Sequence, residues 1–311
     1  MGDLAGELRD ALGGDVSIEG LRRLSGGASR ITSSFEAVAP DGTRTPLVVQ
    51  QVRSAAGSGP GMATEVAALR AAAAAGVPVP RVVAVGEGTS FVVLEHVLGE
   101  TIARKILRDD RFAGARPVLA GQCGRALAAL HAMPVDAVPG LDVPDQVAQY
   151  RAVLDASGQP HPAFELGFRH LEATRPAVTA TTVVHGDFRL GNLIVGPDGL
   201  RAVIDWELVH LGDPLEDLSW LCVKSWRFGA APRVGGFGEV PELVSAYEEA
   251  SARTVDLAAL RWWETFGTLK WGIMCIMQAT AHLSGAARSV ELAAIGRRVC
   301  EVEHDLLLLL P

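Results

Sequence analysis

The feature that most constrains this chain is a set of three oxygen-bearing side chains in its second half. Asp187 and Asn192 lie five residues apart in the run His-Gly-Asp-Phe-Arg-Leu-Gly-Asn, and Asp205 follows thirteen residues after Asn192. β-Branched runs on both sides of Pro-Asp-Gly at 197–199 predict a hairpin. We therefore expect Asn192 at the start of one strand and Asp205 at the end of the next, so that the two side chains converge. The alternative is that these residues are unrelated surface acids beside a β-turn. That alternative would not explain why the residue types, their spacing and the predicted hairpin all agree with one site.

These residue types suit the transfer of a phosphoryl group. Their spacing is that of the kinase catalytic loop and its metal-binding aspartate. Such a transfer needs a carboxylate that orients a substrate hydroxyl and accepts its proton, which is a task that suits Asp187. It also needs oxygen ligands for Mg²⁺ on the nucleotide phosphates, because Mg²⁺ is a hard ion that prefers oxygen. Asn192 and Asp205 suit this second task.

On these residues the chain resembles the aminoglycoside phosphotransferase and choline kinase superfamily, the small-molecule branch of the protein-kinase-like fold. His-Gly-Asp at 185–187 stands where protein kinases carry His-Arg-Asp, and Asp-Trp-Glu at 205–207 stands where they carry Asp-Phe-Gly. The stretch 212–218 also resembles a segment common in the superfamily. The resemblance implies an α+β, bilobal fold. Residues 1–97 would form a small nucleotide-binding N-lobe with an antiparallel sheet and a helix, and residues 98–311 a larger, mostly helical catalytic and substrate-binding C-lobe.

Two parts of the expected N-lobe are candidates for holding ATP. Small residues in the turn at 25–29 allow the backbone to approach phosphates and to present N–H donors. The candidates in this turn are Gly26, Gly27 and Ser29. Gly-Gly turns are also common in ordinary hairpins, so the interpretation depends on the position of this turn at the start of a kinase-like chain. The resemblance further implies that backbone groups at the exit toward the second lobe hold the adenine, which assigns Glu95 and Val97.

One position departs from the family pattern. In kinases a helix glutamate of the N-lobe pairs with a lysine on a strand, and Glu65 is the candidate glutamate in a helix predicted over 63–75. Its alternative role is that of an acid favoured at a helix N-terminus. The best-matching strand position holds Gln50, which donates hydrogen bonds to phosphate but cannot form the ion pair. Arg53 and Arg30 are the candidates for the missing charge.

Other polar residues have both a catalytic and a structural interpretation. Arg189 stands where protein kinases carry a lysine, and it either contacts the transferred phosphoryl group or forms a structural ion pair. Glu207 and Glu264 are candidates for binding a cationic substrate. Structural roles in loop shaping, packing, helix capping and bracing of the catalytic loop are predicted for His185, His131, Asp213 and Asp217.

Composition limits the partners of the chain. The formal net charge of −8 over 311 residues argues against a nucleic-acid or anionic-membrane surface. The four cysteines are widely separated, which predicts buried reduced thiols in a cytoplasmic protein. The first twelve residues lack the pattern of a signal peptide, and the five leucines at 306–310 are too few to span a bilayer.

Apolar spacing predicts a run of helices after the hinge between the lobes. The predicted ranges are 117–131, 146–154, 164–172, 215–223, 241–250, 255–283 and 288–310. The Gly-rich stretch 232–237 is a predicted loop that borders the substrate site.

The expected function is ATP- and Mg²⁺-dependent phosphorylation of a hydroxyl group on a small molecule. Asp187 is the expected base, Asn192 and Asp205 the metal ligands, and Arg189 the charge stabiliser. Two alternatives stay open on the same fold. Nucleotidyl transfer is one, because some kinase-like proteins with altered N-lobe residues bind ATP reversed, and a non-catalytic nucleotide-binding regulator, favoured by Gln50, is the other. Aminoglycosides, choline-like amines, macrolides, sugars and amino alcohols are all possible acceptors.

Overall fold

An antiparallel sheet of five strands forms the first part of the protein. The structure, a computed structural model, describes residues 4–24, 30–52, 61–178 and 180–311. The strands and helices of this part are α1 (Leu4–Ala11), β1 (Ser17–Arg23), β2 (Arg30–Val38), β3 (Arg44–Val52), α2 (Met62–Ala74), β4 (Val82–Val85) and β5 (Phe91–Glu95). In space the strands follow the order β1-β2-β3-β5-β4, and every neighbouring pair is antiparallel.

The two faces of this sheet are covered by different helices. Val49 of β3 lies in one apolar cluster with Leu8 of α1. Val92 and Leu94 of β5 lie in another cluster, together with the apolar side of α2. Because side chains alternate between the faces along a strand, Gln50 projects to the side opposite Val49. The α2 side of the sheet is therefore also the side that carries Gln50.

Helices and two short β-ladders make up the rest of the chain. The helices are α3 (Ala103–Arg108), α4 (Arg116–His131), α5 (Gln146–Ser157), α6 (Pro162–Ala173), α7 (Leu215–Trp220), α8 (Val240–Ser251), α9 (Leu257–Leu283), α10 (Val290–Gly296) and α11 (Val299–Leu307). The ladders pair β6 (Thr182–Val184) with β9 (His210–Gly212), and β7 (Leu193–Gly196) with β8 (Gly199–Val203). The combination of an antiparallel sheet with many helices confirms the α+β prediction.

The segment that leaves β5 is fastened to the β7–β8 hairpin. The backbone N–H of Glu100 donates to the carbonyl oxygen of Val195 (2.9 Å), and the N–H of Val195 donates back to Glu100 (3.0 Å). A third backbone bond runs from Val203 of β8 to Pro78, ahead of β4 (2.7 Å). The hairpin is thus joined to both ends of the β4–β5 region.

The single helix predicted over 288–310 is wrong, because the chain forms α10 and α11 with a turn at 297–298. Gly296 ends α10 at a point where a Cβ atom would lie 2.6 Å from Cβ of Ala279 in α9. Glycine favours a break in a helix, and this one also allows the close approach. After the turn, Val302 and Leu306 join the apolar cluster around α9.

None of the helices in the described ranges combines the length and apolar character needed to cross a bilayer. All four cysteines carry free thiols, and three of them, Cys123, Cys222 and Cys275, are buried as predicted. The prediction of burial is wrong for Cys300, which is exposed. Burial raises the pKa of the Cys123 thiol to about 12, so this cysteine is an inert part of the core.

Candidate active site

The loop between β6 and β7 is held by one buried carboxylate. Asp217 of α7 is fully buried, and its two oxygens accept hydrogen bonds from the backbone N–H groups of His185 (2.7 Å) and Gly186 (2.9 Å). Nε2 of His131 lies 3.3 Å from the same carboxylate. Hydrogen bonds to an ionised acceptor are stronger than neutral ones. Asp217 therefore has the bracing role that the sequence predicts, and His131 packs beside it.

Gly186 explains why this loop reads His-Gly-Asp. Its φ of +79° lies in the left-handed region that side chains disfavour. A Cβ atom at this position would also lie 2.5 Å from the carbonyl oxygen of Leu208. Backbone conformation and space both exclude a larger residue here.

His185 links the loop to the end of β8. Its Nδ1 atom accepts a hydrogen bond from the N–H of Asp187 (3.2 Å), and its Nε2 atom lies 3.1 Å from the carbonyl oxygen of Ile204. A ring that accepts at Nδ1 and donates at Nε2 is neutral. Burial lowers the pKa of His185 and favours the same form. The residue shapes the loop, as the sequence predicts.

Three donors fix the carboxylate of Asp187. Nε of Arg189 lies 3.0 Å and 3.2 Å from its two oxygens, Nδ2 of Asn192 donates at 2.6 Å, and the indole Nε1 of Trp220 donates at 2.7 Å. The residue is 9% exposed. The guanidinium of Arg189 in turn lies over the ring of Trp226, at 4.5 Å from its centroid. Asp187 is therefore held in one orientation at the edge of the protein interior.

The hairpin brings Asn192 and Asp205 together as the sequence predicts. The N–H of Ile204, beside Asp205, donates to the carbonyl oxygen of Asn192 at 2.9 Å. The side-chain nitrogen of Asn192 is used by Asp187, through the carboxylate and through the carbonyl oxygen at 3.0 Å. The amide oxygen of Asn192 is thus the atom that stays available for a ligand.

Asp205 has the properties of a cation ligand. Its φ of +69° is left-handed, a conformation that aspartate tolerates better than most residues and that is frequent at functional sites. Burial raises the pKa of Asp205 to about 7, and the negative charges of Glu207 and Asp187 act in the same direction. A nearby cation would favour the charged carboxylate and lower the pKa of Asp205 again.

This ligand set fits Mg²⁺ that arrives with a nucleotide. Among the described residues, no three His, Cys, Asp or Glu side chains are grouped so that they would hold a metal ion by themselves. Mg²⁺ is commonly bound by one or two protein side chains together with substrate phosphates and water. The oxygens of Asn192 and Asp205 meet that requirement.

A cleft of about 410 Å³ lies between the sheet and the end of the β6–β7 loop, and five of the predicted ligand residues line it. These are Gln50, Glu95, Val97, Asn192 and Asp205. Apolar side chains, including Val48, Leu94 and Ile204, line the same cleft, as expected for a site that holds a flat ring. Gly26, Gly27, Ser29 and Arg53 lie outside the described residues.

The predicted glutamate of the N-terminal part has an unexpected partner. Glu65 of α2 forms an ion pair with Arg30, the first residue of β2, and both side chains are largely buried. Gln50 lies opposite Thr32 on the neighbouring strand, and all four residues line the cleft. The partner of the helix glutamate therefore lies on β2 in this protein, whereas the kinase pattern places it on the strand that corresponds to β3.

A sequence profile of the phosphotransferase enzyme family designated APH matches residues 20–263. The chain belongs to this family. Two curated relatives match over shorter stretches. Acyl-CoA dehydrogenase family member 10 of Mus musculus is 33% identical over 186 residues, which is 54% of this chain and 17% of that protein. Acyl-CoA dehydrogenase family member 11 of Homo sapiens is 30% identical over 186 residues, which is 51% of this chain and 23% of that protein. The chain thus spans about a fifth of the length of these relatives.

Solved structures of APH-like proteins share the fold. A putative aminoglycoside phosphotransferase from Ralstonia eutropha matches with a TM-score of 0.74, 22% identity and coverage of 98% of this chain and 96% of the other. A choline/ethanolamine kinase family protein from Mesorhizobium loti matches with a TM-score of 0.65, 21% identity and coverage of 93% and 87%. A mutant aminoglycoside phosphotransferase in a ternary complex with AMP-PNP and hygromycin B matches with a TM-score of 0.64, 17% identity and coverage of 98% of both chains. The protein-kinase-like fold implied by the resemblance is confirmed.

This APH family member also carries a buried charged network that the sequence analysis missed. Nζ of Lys270 lies 3.2 Å from Oε1 of Glu216 and 3.0 Å from Oε1 of Gln146, and His210 lies 3.1 Å from the same glutamate. Lys270 also lies 5.0 Å from the ring centroid of Trp220, the residue whose indole N–H donates to Asp187 in the β6–β7 loop. The signal in the sequence was a lysine between leucine and tryptophan in an apolar helix.

The interpretation of Glu264 as a binding site for a cationic substrate does not fit the structure. The residue is buried, and its two oxygens pair with Arg227 (3.1 Å) and Arg233 (2.6 Å). Its charge is already compensated, so in this family member it has a structural role. Asp213 is likewise structural, because its carboxylate accepts the N–H of Leu215 at the start of α7 (2.9 Å).

Proposed function

We propose that the protein transfers the γ-phosphoryl group of ATP to a hydroxyl group of a small molecule. The observation that carries this proposal is that Asp187 is hydrogen-bonded to Asn192 at 2.6 Å, and that Asn192 and Asp205 both line the cleft. A carboxylate held in place next to two oxygen ligands is what phosphoryl transfer requires. The family and its fold support the same reaction class.

In the proposed step, an oxygen–phosphorus bond forms between the acceptor hydroxyl and the γ-phosphorus. The bond from that phosphorus to the β–γ bridging oxygen breaks, and ADP leaves. The proton of the hydroxyl passes to Asp187. The donors Arg189, Asn192 and Trp220 fix the orientation in which this carboxylate meets the hydroxyl.

The other predicted residues would bind ATP and Mg²⁺ and position the transferred phosphoryl group. Asn192 and Asp205 would hold Mg²⁺, which when bound neutralises charge on the phosphates. Glu95 and Val97 would hold the adenine at the segment after β5. Arg189 uses Nε for Asp187, so the other nitrogens of its planar guanidinium are left to contact the phosphoryl oxygens.

A second observation bears on the acceptor. Lys224 and Arg227, which flank Trp226 in the turn 224–227, line two cavities of about 290 Å³ and about 690 Å³. Five cationic side chains and three carboxylates line them: Lys224, Arg227, Arg233, Arg261, Arg298, Glu264, Glu301 and Asp305. Four of these cations pair with the carboxylates: Lys224 with Asp305, Arg227 and Arg233 with Glu264, and Arg298 with Glu301. The remaining excess of two positive charges (five cations less three carboxylates) contrasts with the net charge of −8 of the chain and favours an anionic acceptor over a polycationic one.

The curated relatives add a candidate of that kind, because they are named as acyl-CoA dehydrogenase family members. We therefore propose a hydroxylated acyl-CoA thioester as the first acceptor to test, ahead of aminoglycosides and choline-like amines. Its phosphates would occupy the basic cavities while its hydroxyl meets Asp187. Lys224→Met should then raise the KM for this acceptor and leave the KM for ATP unchanged. Arg151→Gln is the control, because Arg151 of α5 is absent from the lining of both cavities and pairs with Asp155 and Glu165.

The proposed reaction is tested with ATP, Mg²⁺ and a panel of acceptors: hydroxyacyl-CoA thioesters, hygromycin B, choline and simple sugars. The readouts are ADP formation and the mass of the product. A gain of one phosphoryl group supports the proposal. A gain of AMP would establish nucleotidyl transfer instead. Tight ATP binding without any product across the panel would favour the non-catalytic regulator.

A further inference from the structure

We infer that Arg30 is the side chain that contacts the nucleotide phosphates, in place of the strand lysine of the kinase pattern. The inference rests on the proposed function, because it specifies how the same cleft binds ATP. It assigns a phosphate-positioning role to the first residue of β2, and it limits Gln50 to a neutral hydrogen bond.

The strand register places Arg30 where such a cation is needed. Thr32 of β2 is directly opposite Gln50 of β3. Residues two apart on a strand project to the same face, so Arg30 lies on the face that carries Thr32 and Gln50. All three side chains line the cleft that also contains Asn192 and Asp205.

The contacts of Arg30 leave donors unused. Its Nη2 atom pairs with Glu65, and its side chain is 14% exposed. Its Nε atom is buried and has no hydrogen-bond partner within the described ranges. A guanidinium carries five N–H donors in a planar fork. One end of the fork therefore fixes the side chain to α2, and the Nε donor is left for an anion.

The charge of the cleft favours the same assignment. Its described lining includes three carboxylates, those of Glu65, Glu95 and Asp205. Among the described residues that line it, Arg30 is the single arginine or lysine. A polyphosphate entering a cleft of this charge needs a cation besides the metal. If Arg30 only tied β2 to α2, its replacement would not change the preference of the cleft for ATP over adenosine. The two roles can therefore be distinguished by measuring both affinities.

The test compares the affinities of ATP and adenosine by calorimetry, without any acceptor. Arg30→Gln should weaken ATP binding by about tenfold to a hundredfold, the scale of charge-assisted hydrogen bonds, and leave adenosine affinity near that of the wild type. Adding Gln50→Lys to Arg30→Gln should restore most of the ratio of ATP affinity to adenosine affinity, because it places a cation on β3 beside Glu65. Arg44→Gln is the control, since Arg44 lies on the same sheet and pairs with Glu19 and Glu36 at the surface.

A pair of variants decides the question if Arg30→Gln does not fold. Glu65→Gln keeps Arg30 and should raise the ratio of ATP to adenosine affinity. The double variant Arg30→Gln/Glu65→Gln leaves no unpaired charge and should lower that ratio well below the value for Glu65→Gln. Equal ratios in these two variants would overturn the inference. A wild-type protein that binds neither ATP nor adenosine would contradict the proposed function itself, whereas ATP binding that is indifferent to Arg30 contradicts only this assignment.

Discussion

The indole N–H of Trp220 donates a hydrogen bond to Oδ1 of Asp187 at 2.7 Å. This contact joins helix α7 to the β6–β7 loop across 33 positions of sequence. The ring of Trp220 is itself wedged between Trp226, at a centroid distance of 5.3 Å, and the ammonium group of Lys270. The orientation of the proposed base is thus determined by the packing of the helical part as well as by the loop.

Replacing Trp220 with phenylalanine removes that donor and keeps an aromatic ring in place. Turnover should fall about tenfold or more, because hydrogen bonds to charged groups contribute about 1.5–3 kcal/mol. ATP affinity should stay unchanged. Trp262→Phe is the control, because Trp262 is also a buried indole and donates to a backbone carbonyl away from the site (3.0 Å). An equal loss of turnover in both variants would show that the loss in Trp220→Phe comes from altered packing and not from the missing hydrogen bond.

Asp187→Asn tests the base directly. The amide cannot accept the proton, so turnover should fall by about a hundredfold or more, while the protein stays folded and ATP binding remains close to that of the wild type. The measurement is kcat with an accepted substrate. Asp198→Asn, at the exposed turn of the β7–β8 hairpin, should have wild-type kcat. Wild-type turnover in Asp187→Asn would remove this residue from the proposed mechanism.

Asp205→Ala should abolish the Mg²⁺ dependence of ATP binding. The wild type should bind ATP more tightly with Mg²⁺ than with a chelator, and the variant should show one weak affinity under both conditions. The variant should also remain folded, because removing a carboxylate whose charged form is disfavoured by burial relieves a desolvation penalty. Identical Mg²⁺ dependence in both proteins would contradict the metal assignment.

The Lys270–Glu216 pair predicts a defined dependence of stability on pH. Burial alone would raise the pKa of Glu216, but the charges of Lys270 and His210 outweigh it and lower the pKa to about 2, from an ordinary value of 4.5. A lowered carboxyl pKa stabilises the folded state above the unfolded value, and this contribution is lost as the pH falls from 4.5 toward 2. Over that interval the wild type should lose about 3 kcal/mol from this group.

The measurement is the free energy of unfolding in urea at several pH values across that window. Glu216→Gln/Lys270→Met replaces the pair without leaving a buried charge, so it should remain folded and show a shallower slope. Glu165→Gln breaks an ion pair with Arg151 that lies closer to solvent (2.8 Å) and should leave the slope almost unchanged. A double variant as steep as the wild type would assign the acid sensitivity to other groups.

The sequence predicted the parts of the site that depend on local order. The catalytic loop and the hairpin follow from short runs in which turn residues and strand residues alternate, so the approach of Asn192 to Asp205 was readable from spacing. Trp220 was not, because its contact with Asp187 depends on how α7 packs. Arg30 was named only as one of two candidates, because the choice required the register between β2 and β3. The break between α10 and α11 depends on the approach of Gly296 to α9.

The backbone bridge between Glu100 and Val195 has a mechanical consequence. Because both hydrogen bonds of the bridge are made, the chain beyond Gly99 must move with the hairpin that carries the proposed metal ligands. Because Val203 of the hairpin also donates to Pro78, any bending that opens the cleft then falls on two short segments, one between Pro78 and β4 and one between β5 and this bridge. Opening would move the sheet, together with Arg30, away from the β7–β8 hairpin. Asn192 and Asp205, the proposed metal ligands, would keep their positions relative to each other. We expect substitutions that loosen the bridge to alter the speed at which ADP escapes and to leave the chemical step as it was.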